Sequence, residues 1–236
     1  MKQLSKLLFL ITIMLLSTVL FSQEEHELKT KKGLQISIYG GYSYRTTEID
    51  DNMPSWQVDY IKGLKSGFHI GTDLTYYFYE TTGAGLKFNM SKASNHLNNV
   101  TVTDDIGDSY TGAIEDNTTI IFIGPAYTTR YFVGDRGNAF IANIALGYLS
   151  YSNDVLVPNM QYKITGETFG SAMDLGYEYI LKDNLAINIQ LSAVGGVLKK
   201  QVYKLSDGRT YTDELEKGNY IGLHRIDLSI GFVYNL

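Results

Sequence analysis

Hydrophobic and polar side chains alternate residue by residue in a series of segments along this chain. In the last segment, residues 219–236, Tyr220 and the even positions from Ile226 to Leu236 are apolar, whereas the odd positions carry Arg225 and Asp227. Successive side chains of a β-strand point to opposite faces. The segment therefore predicts a strand with one apolar and one polar face. Such an aromatic strand would be an aggregating edge in a soluble protein, but it can close a barrel in lipid.

The same alternation predicts seven further strands, so we expect eight in all. They cover residues 34–46, 67–79, 84–93, 118–133, 138–151, 168–181, 185–197 and 219–236. The fourth segment is apolar on both parities through residues 120–123, which leaves its facing ambiguous. We expect Ile121, Ile123, Tyr127 and Tyr131 outside, and Gly124, Ala126, Thr128 and Arg130 inside. Pro125 has no N–H to donate and predicts a β-bulge in this strand.

The connections between these segments are alternately short and long. Residues 80–83, 134–137 and 182–184 form the short ones, whereas residues 47–66, 94–117, 152–167 and 198–218 form the long ones. Outer-membrane barrels combine short periplasmic turns with long extracellular loops. We therefore predict an all-β fold: an eight-stranded antiparallel up-and-down transmembrane β-barrel with four long surface loops and both termini in the periplasm.

The aromatic residues suit the same fold, because amphipathic rings collect at both membrane interfaces. The chain has 19 Tyr residues, and we expect them to contribute to two girdles. The outer girdle would contain Tyr42, Tyr44, Tyr148 and Tyr151, and the periplasmic girdle Tyr76, Phe78, Tyr177, Tyr179, Phe232 and Tyr234.

The first 22 residues have the layout of a secretory signal peptide. Lys2 and Lys6 precede an apolar run over residues 7–16, and small and polar residues follow it. A retained membrane anchor is the alternative, which the short apolar run disfavours. Residues 23–33 would then be a flexible periplasmic lead-in, and residues 34–236 the barrel domain. Since the chain has no Cys, it has neither a lipoprotein attachment site nor disulfides.

The charge balance and the absence of familiar motifs exclude several classes of function. Removal of Lys2 and Lys6 with the signal peptide lowers the 20 basic residues to 18 against 25 acidic ones, a net charge of −7. Nucleic acid is therefore not an expected partner. The sequence contains no Gly-rich phosphate loop, CxxC or HExxH pattern, so no cofactor is expected.

Over its whole mature length the chain resembles the small eight-stranded outer-membrane β-barrel proteins of Gram-negative bacteria, the outer membrane protein beta-barrel domain family. The most specific shared motif is the carboxy-terminal assembly signal, to which Gly231, Tyr234 and Leu236 correspond. Ile230 departs from the pattern, which has a polar residue there, and the final Leu replaces the commoner Phe. The resemblance implies recognition by the barrel-assembly machinery, insertion from the periplasm and contact with outer-membrane lipids.

Charged residues on the inward parities balance in sign. They are Arg45, Lys87, Arg130 and Arg225 against Asp73, Asp174, Glu178 and Asp227. The interior of an eight-stranded barrel is just wide enough for side chains to fill it, and unpaired charges there would be costly. We therefore expect matched pairs in a filled polar lumen. A path for protons or small ions along the same residues is the alternative.

Candidate catalytic residues are few. Ser94 and His96 lie two residues apart on one face of the third strand, where some outer-membrane lipid-A deacylases have a Ser and a His. Their order and spacing do not reproduce a catalytic motif, and no acid partner can be assigned. His69 is expected to face inward beside Asp73, and His224 to face lipid. We therefore predict that the chain is not an enzyme.

Two of the long loops contain candidate contact residues. Trp56, the only Trp, and Tyr60 lie in the first loop, where they could anchor an extracellular or envelope partner or fold back over the barrel mouth. Both interpretations stay open. Hard cations bind clustered carboxylates, but the second loop lacks the spacing of an EF-hand, which favours solvated acidic surface. Its carboxylates are those of Asp104, Asp105, Asp108, Glu115 and Asp116.

These patterns favour an integral outer-membrane barrel with a structural, envelope or surface-interaction role. A narrow channel for small or apolar solutes is the first alternative, and an outer-membrane lipid-modifying enzyme is the second. The rival at the level of fold is a soluble eight-stranded lipid carrier. Its apolar face would point inward around a ligand instead of outward.

Overall fold

The structure is a computed structural model and describes residues 32–47, 53–103, 106–134 and 137–236. The expected signal peptide and nearly all of the expected lead-in lie outside the described residues. The elements of the described part are β1 (Gly33–Arg45), α1 (Ser55–Lys65), β2 (Ser66–Tyr77), β3 (Thr82–Thr103), β4 (Ser109–Val133), β5 (Asn138–Val157), β6 (Met160–Lys182), β7 (Leu185–Leu198), β8 (Lys200–Leu205), β9 (Thr210–Glu214), β10 (Ile221–Gly222) and β11 (Arg225–Asn235). Among these residues, no helix is long and apolar enough to cross a membrane.

Eight of the strands form a closed ring in which every neighbouring pair is antiparallel. Strands β1 to β7 pair in sequence order, and β11 closes the ring between β7 and β1. Closure removes the exposed strand edges that an open sheet would have. The predicted eight-stranded antiparallel up-and-down barrel is therefore confirmed.

Side chains of the ring alternate between the interior and the outer surface. In β11, Arg225, Asp227 and Ser229 are buried, whereas Ile230 and Phe232 are 63% and 62% exposed. Exposed apolar side chains recur on each of the eight ring strands, and a continuous apolar outer surface requires lipid rather than water. The soluble-carrier interpretation is wrong, because the apolar face points outward.

Four strands run well beyond the segments that the sequence predicts. Strands β3 to β6 contain 22, 25, 20 and 23 residues, whereas the other ring strands contain 11 to 14. The expected loops 94–117 and 152–167 are therefore mostly extended hairpins, and the β3–β4 register shifts between Leu97 and Val100. These extensions project beyond the lipid-facing band of exposed apolar side chains, which we call the apolar belt. The sequence there therefore lacks the hydrophobic alternation that predicts a membrane strand. Cross-strand polar pairs such as Thr101 with Thr111 take its place.

The remaining two expected loops also contain regular structure. Helix α1 occupies most of the first, and the hairpin β8–β9 occupies the last, where β8 pairs with β6. We call this side of the barrel the hairpin end, and the opposite side, with Gly33 and Leu236, the terminal end. The terminal end carries the three short turns.

The closing strand is shorter than the sequence predicts, because it begins at Arg225 and not at residue 219. Tyr220 lies in an irregular segment, and β10 after it pairs with the end of β7. The N–H of Leu223 donates to the carbonyl of Gly196, which holds this segment against β7. Tyr220 is therefore not part of the lipid-facing set of β11.

The β-bulge expected at Pro125 is wrong. The β4–β5 register is the same on both sides of it, with Ile123 opposite Tyr148 and Ala126 opposite Ala145. Pro125 points outward and pairs on its other side with β3. A continuous strand accommodates this proline, and the expected outward and inward sets of β4 are confirmed by their exposure.

The expected outer girdle contains one error. Tyr42, Tyr44 and Tyr148 are exposed on the outer surface, but Tyr151 is only 7% exposed and faces the interior. The odd residues of β5 point inward, so Tyr151 cannot share a face with Tyr148. The residues expected in the periplasmic girdle lie on the outward parities of their strands.

Candidate functional site: the barrel interior and its mouth

The barrel interior is polar on the side of β1 to β3 and β11. At its centre the ammonium group of Lys87 lies 2.8 Å from the Asp174 carboxylate and 3.3 Å from that of Asp73. It also donates to the hydroxyl of Tyr39, which in turn donates to Asp73. We call these four residues the central ion cluster. Lys87 is 0% exposed, and the two carboxylates beside it offset the cost of burying its ammonium group.

A second polar group lies beside the central ion cluster. Asp227 accepts hydrogen bonds from Ser43 and from Nε of Arg225. The guanidinium also donates to the Asn89 side chain. This chain of contacts connects β1, β3 and β11 inside the barrel.

His69 faces the interior, but its partners differ from the expected one. Its ring nitrogens lie 3.2 Å from the Asn89 amide and 3.1 Å from the Ser229 hydroxyl. Asp227 lies 3.9 Å away, and no contact with Asp73 forms. The strand parity predicted that the imidazole of His69 points inward. Its partners come from β3 and β11, which closure of the barrel brings close to β2.

A third polar group lies near the terminal end. Glu178 accepts a hydrogen bond from Gln35, which also donates to Asn235. The Arg130 guanidinium lies 3.8 Å from the centre of the Tyr77 ring, a cation–π contact, and its Nε donates to a backbone carbonyl. Its charge is therefore stabilised partly by an aromatic ring.

The structure places all eight charges of the expected lumen network on inward positions. Seven are buried, and Arg45 at the hairpin end is half-buried. The one-to-one pairing expected from the charge balance is wrong, since Lys87 takes two carboxylates and Arg45 takes none from the described part of the chain. The pairing depends on which strands face each other across the lumen, and strand parity does not contain that information.

Part of the interior is apolar, contrary to the expectation of a polar lumen, although β4 to β7 also carry buried polar residues such as Asn143 and Gln190. A cluster of buried side chains fills the space between β4, β5, β6 and β7, and we call it the apolar plug. It consists of Ile120, Phe122, Ala126, Ala145, Leu149, Tyr151, Ala172, Val194, Leu198 and Leu223. The one sign of the plug in the sequence was that both odd and even positions of residues 120–123 are apolar. The odd positions face lipid, and the even positions belong to the plug.

Helix α1 is fastened to the hairpin end through Tyr60. The Tyr60 hydroxyl donates to the Asp116 carboxylate at 2.8 Å, and the Asn95 amide donates to the Tyr60 carbonyl. Burial and the hydrogen bond to Asp116 raise the pKa of the Tyr60 phenol, so it remains a donor. Asp116 also accepts from Asn153 of β5. Tyr60 therefore folds back onto the extended strands, whereas Trp56 stays 43% exposed.

Ser94 and His96 both lie on the outer surface of β3, in the part that extends past the apolar belt. No hydrogen bond joins their side chains, and Glu115, opposite His96, accepts from Asn117. Ser94 lines a shallow depression of about 520 Å³ on this outer surface. His224 is also exposed, as expected for its parity.

The expected carboxylate cluster of the second loop is only partly described. Asp104 and Asp105 lie outside the described residues. Asp116 accepts a hydrogen bond from Tyr60, whereas Glu115 accepts one from Asn117. Within the described ranges, no group of three or more His, Asp or Glu side chains could hold a metal ion.

The residues of the expected assembly signal lie at the end of β11. Gly231 faces inward and pairs with Tyr39 of β1, which pairs with Gly71 on its other side. A Cβ atom on Gly231 would lie 2.6 Å from that of Tyr39 and would also meet the backbone carbonyl of Ile38, so glycine permits this close approach of β11 to β1. Tyr234 and Leu236 are exposed on the outer surface.

Comparison with known families identifies the chain's relatives. The DUF3575 family, described as a protein of unknown function, matches residues 53–236. The chain belongs to this family. No curated protein sequence matches it significantly. The matched region begins just before α1 and includes every ring strand of the DUF3575 barrel except β1.

Two solved structures have a similar fold. The outer membrane protein OprG from Pseudomonas aeruginosa is 13% identical with a TM-score of 0.50, and the alignment covers 89% of this chain and 100% of that one. A major outer membrane protein from Thermus thermophilus is 10% identical with a TM-score of 0.52, covering 86% and 99%. At these identities the likeness concerns the fold. It confirms the resemblance to outer-membrane β-barrels, and the DUF3575 barrel is an integral outer-membrane barrel.

Proposed function

We propose that the DUF3575 barrel is a closed, non-conducting and non-catalytic barrel that serves the cell envelope through its hairpin end, as a structural or surface-interaction protein. The observation that carries this proposal is the burial of seven of the eight lumen charges. Lys87 and Asp227 are 0% exposed and Arg225 is 1% exposed. A water-filled passage along these residues would expose them to solvent, so their burial supports a filled lumen.

The apolar plug supports the same proposal. It lies beside the polar groups, and Phe122, Leu149, Leu198 and Leu223 are all 0% exposed. Polar and apolar side chains thus fill complementary parts of one cross-section. An eight-stranded barrel has room for little else.

The proposed orientation puts the hairpin end outside the cell and the terminal end in the periplasm. The three short turns lie at the terminal end, as periplasmic turns do in outer-membrane barrels. The closing strand with Gly231, Tyr234 and Leu236 would then be available to the barrel-assembly machinery during insertion. The apolar outer surface would contact outer-membrane lipids.

The hairpin end offers a surface for interaction. The extensions of β3 to β6 continue into β8 and β9, so an open sheet projects past the apolar belt. All residues of β9, Thr210–Glu214, are exposed, and β9 has no strand on its outer side. Exposed Trp56 and Tyr211 lie at the same end. An envelope or extracellular partner would bind here.

Solute flux into proteoliposomes tests the closed lumen. Vesicles containing the refolded DUF3575 barrel should swell no faster in small sugars or amino acids than empty vesicles, whereas a general porin as positive control should permit swelling. Solute entry that increases with the amount of folded protein would contradict the proposal.

Trypsin added to intact cells tests the orientation. Cleavage in the β8–β9 turn at Arg209, which is exposed at the hairpin end, is the expected result.

A further inference from the structure

Two arginines lie directly opposite each other at the mouth of the lumen. Arg45, the last residue of β1, pairs in register with Arg225, the first residue of β11, and both lie on inward positions. Like charges directly opposite on neighbouring strands are destabilising. Arginine cannot lose its proton in a protein, so this pair has to be compensated by negative charge.

The described part of the chain does not supply enough of that charge. Among the described residues, Asp227 is the one carboxylate in contact with Arg225, and it also accepts a hydrogen bond from Ser43. Arg225 is 1% exposed, yet its second terminal nitrogen, NH1, has no hydrogen-bond partner. Nε of Arg45 is also buried without a partner, and its guanidinium forms no ion pair with any described residue. Each of the two guanidinium groups thus has a buried nitrogen without a hydrogen-bond partner among the described residues.

A small cavity lies beside Arg45. Its volume is about 10 Å³, and its lining includes Arg45, Lys65 of α1 and the hydroxyl-bearing Ser43, Ser91 and Thr118. A cavity of this size holds about one water-sized species. Lys65 adds a further positive charge to this lining, which does not include Arg225, and the hydroxyl groups add donors.

We propose that this mouth site binds a single anion of halide size, with chloride as the abundant candidate. Cationic donors from β1 and α1 line the cavity, and hydroxyl groups of β1, β3 and β4 complete it. A neutral water molecule would satisfy donors without compensating the charge, whereas a bound anion does both. The volume of about 10 Å³ fits a halide better than a larger oxyanion such as sulfate. The bound anion would fasten α1 to the barrel wall through Lys65.

The test uses the full mature chain, refolded in detergent. The unfolding midpoint is measured while chloride replaces gluconate at constant ionic strength. A saturable rise is expected, roughly 5 °C at a chloride concentration 100 times the dissociation constant. Arg45→Gln should abolish this dependence, and Arg209→Gln, at an exposed turn, should preserve it.

Crystals grown in bromide give a readout that does not depend on the stability of a variant. An anomalous peak next to Arg45 in the wild-type protein is the expected result. The proposal fails if the midpoint follows ionic strength alone, if Arg45→Gln retains the full dependence, or if no bromide lies at the site. Equal stabilisation by sulfate, lost in Arg45→Gln, would overturn the assignment of a halide-sized ligand.

Discussion

The Lys87 ammonium on β3 lies 2.8 Å from the Asp174 carboxylate on β6, although β4 and β5 separate these strands in the ring. The contact therefore crosses the lumen and does not follow the sheet. It joins opposite walls of the barrel at the place where Lys87 also binds Asp73.

Replacement of Lys87 by Met is expected to destabilise the barrel strongly. It leaves two buried carboxylates without their cation, and removal of one partner of a buried ion pair costs about 3–5 kcal/mol. Urea unfolding in detergent micelles measures the change. Lys92→Met, at an exposed position of the same strand, is the matched control and should change the free energy of unfolding little. Partial recovery in Lys87→Met/Asp174→Asn would assign the loss to uncompensated charge, whereas a Lys87→Met variant as stable as the control would contradict the assignment.

Replacement of Gly231 by Val is expected to impair folding because of Tyr39. The new side chain would meet the Cβ atom of Tyr39 and the backbone carbonyl of Ile38 on β1. Refolding yield into detergent, without the assembly machinery, should fall, and Tyr39→Ala in the same chain should not restore it, because alanine keeps the Cβ atom. Normal refolding of Gly231→Val in vitro with poor insertion in cells would show that Gly231 acts in recognition and that its packing against Tyr39 is unimportant.

Replacement of Tyr60 by Phe is expected to loosen α1 without unfolding the barrel. The lost hydrogen bond to Asp116 contributes about 1.5–3 kcal/mol, because its acceptor is charged. Limited trypsin digestion should then cleave faster at Lys62 and Lys65 in α1, while heat-modified migration on gels stays unchanged. Tyr110→Phe, at an exposed position of β4, is the control. Equal cleavage rates in the two variants would show that this hydrogen bond does not hold α1.

Replacement of Ser94 by Ala is expected to leave the lipid A of expressing cells unchanged. Ser94 and His96 lack a hydrogen bond to each other, and Glu115 opposite them is engaged by Asn117. Mass spectra of lipid A from cells with the wild-type chain, the variant and an empty vector should coincide. A modification that is present only with the wild-type chain would make Ser94 a catalytic residue and overturn the non-enzymatic proposal.

The sequence predicts the membrane-spanning part of the fold well, because lipid selects one apolar face. Strands β1, β2 and β7 begin and end within two residues of the expected segments. The sequence did not predict the extensions of β3 to β6, because no lipid-facing apolar side chains mark the strands beyond the apolar belt. Tyr151 was wrongly predicted to lie in the outer girdle, because the prediction followed its aromatic side chain and not its odd, inward-facing position in β5.

The sequence predicts less of the interior. Strand parity correctly directs Lys87, Asp174 and Arg225 inward, but their partners come from strands that are distant in sequence. Closure of the ring brings Lys87 and Asp174 together, and no local pattern encodes that distance. The apolar plug was missed because Ile120 and Phe122 alternate with Ile121 and Ile123, so apolarity alone does not distinguish a lipid contact from an interior contact.

Single-channel recording in planar lipid bilayers tests the closed lumen most directly. Folded protein, verified by heat-modified migration, is added to the bilayer, and insertion is confirmed by protease protection in matched vesicles. The central ion cluster and the apolar plug predict a membrane current equal to that of the bare bilayer over the usual voltage range. Discrete, reproducible current steps of uniform size from the folded wild-type protein would contradict a filled lumen.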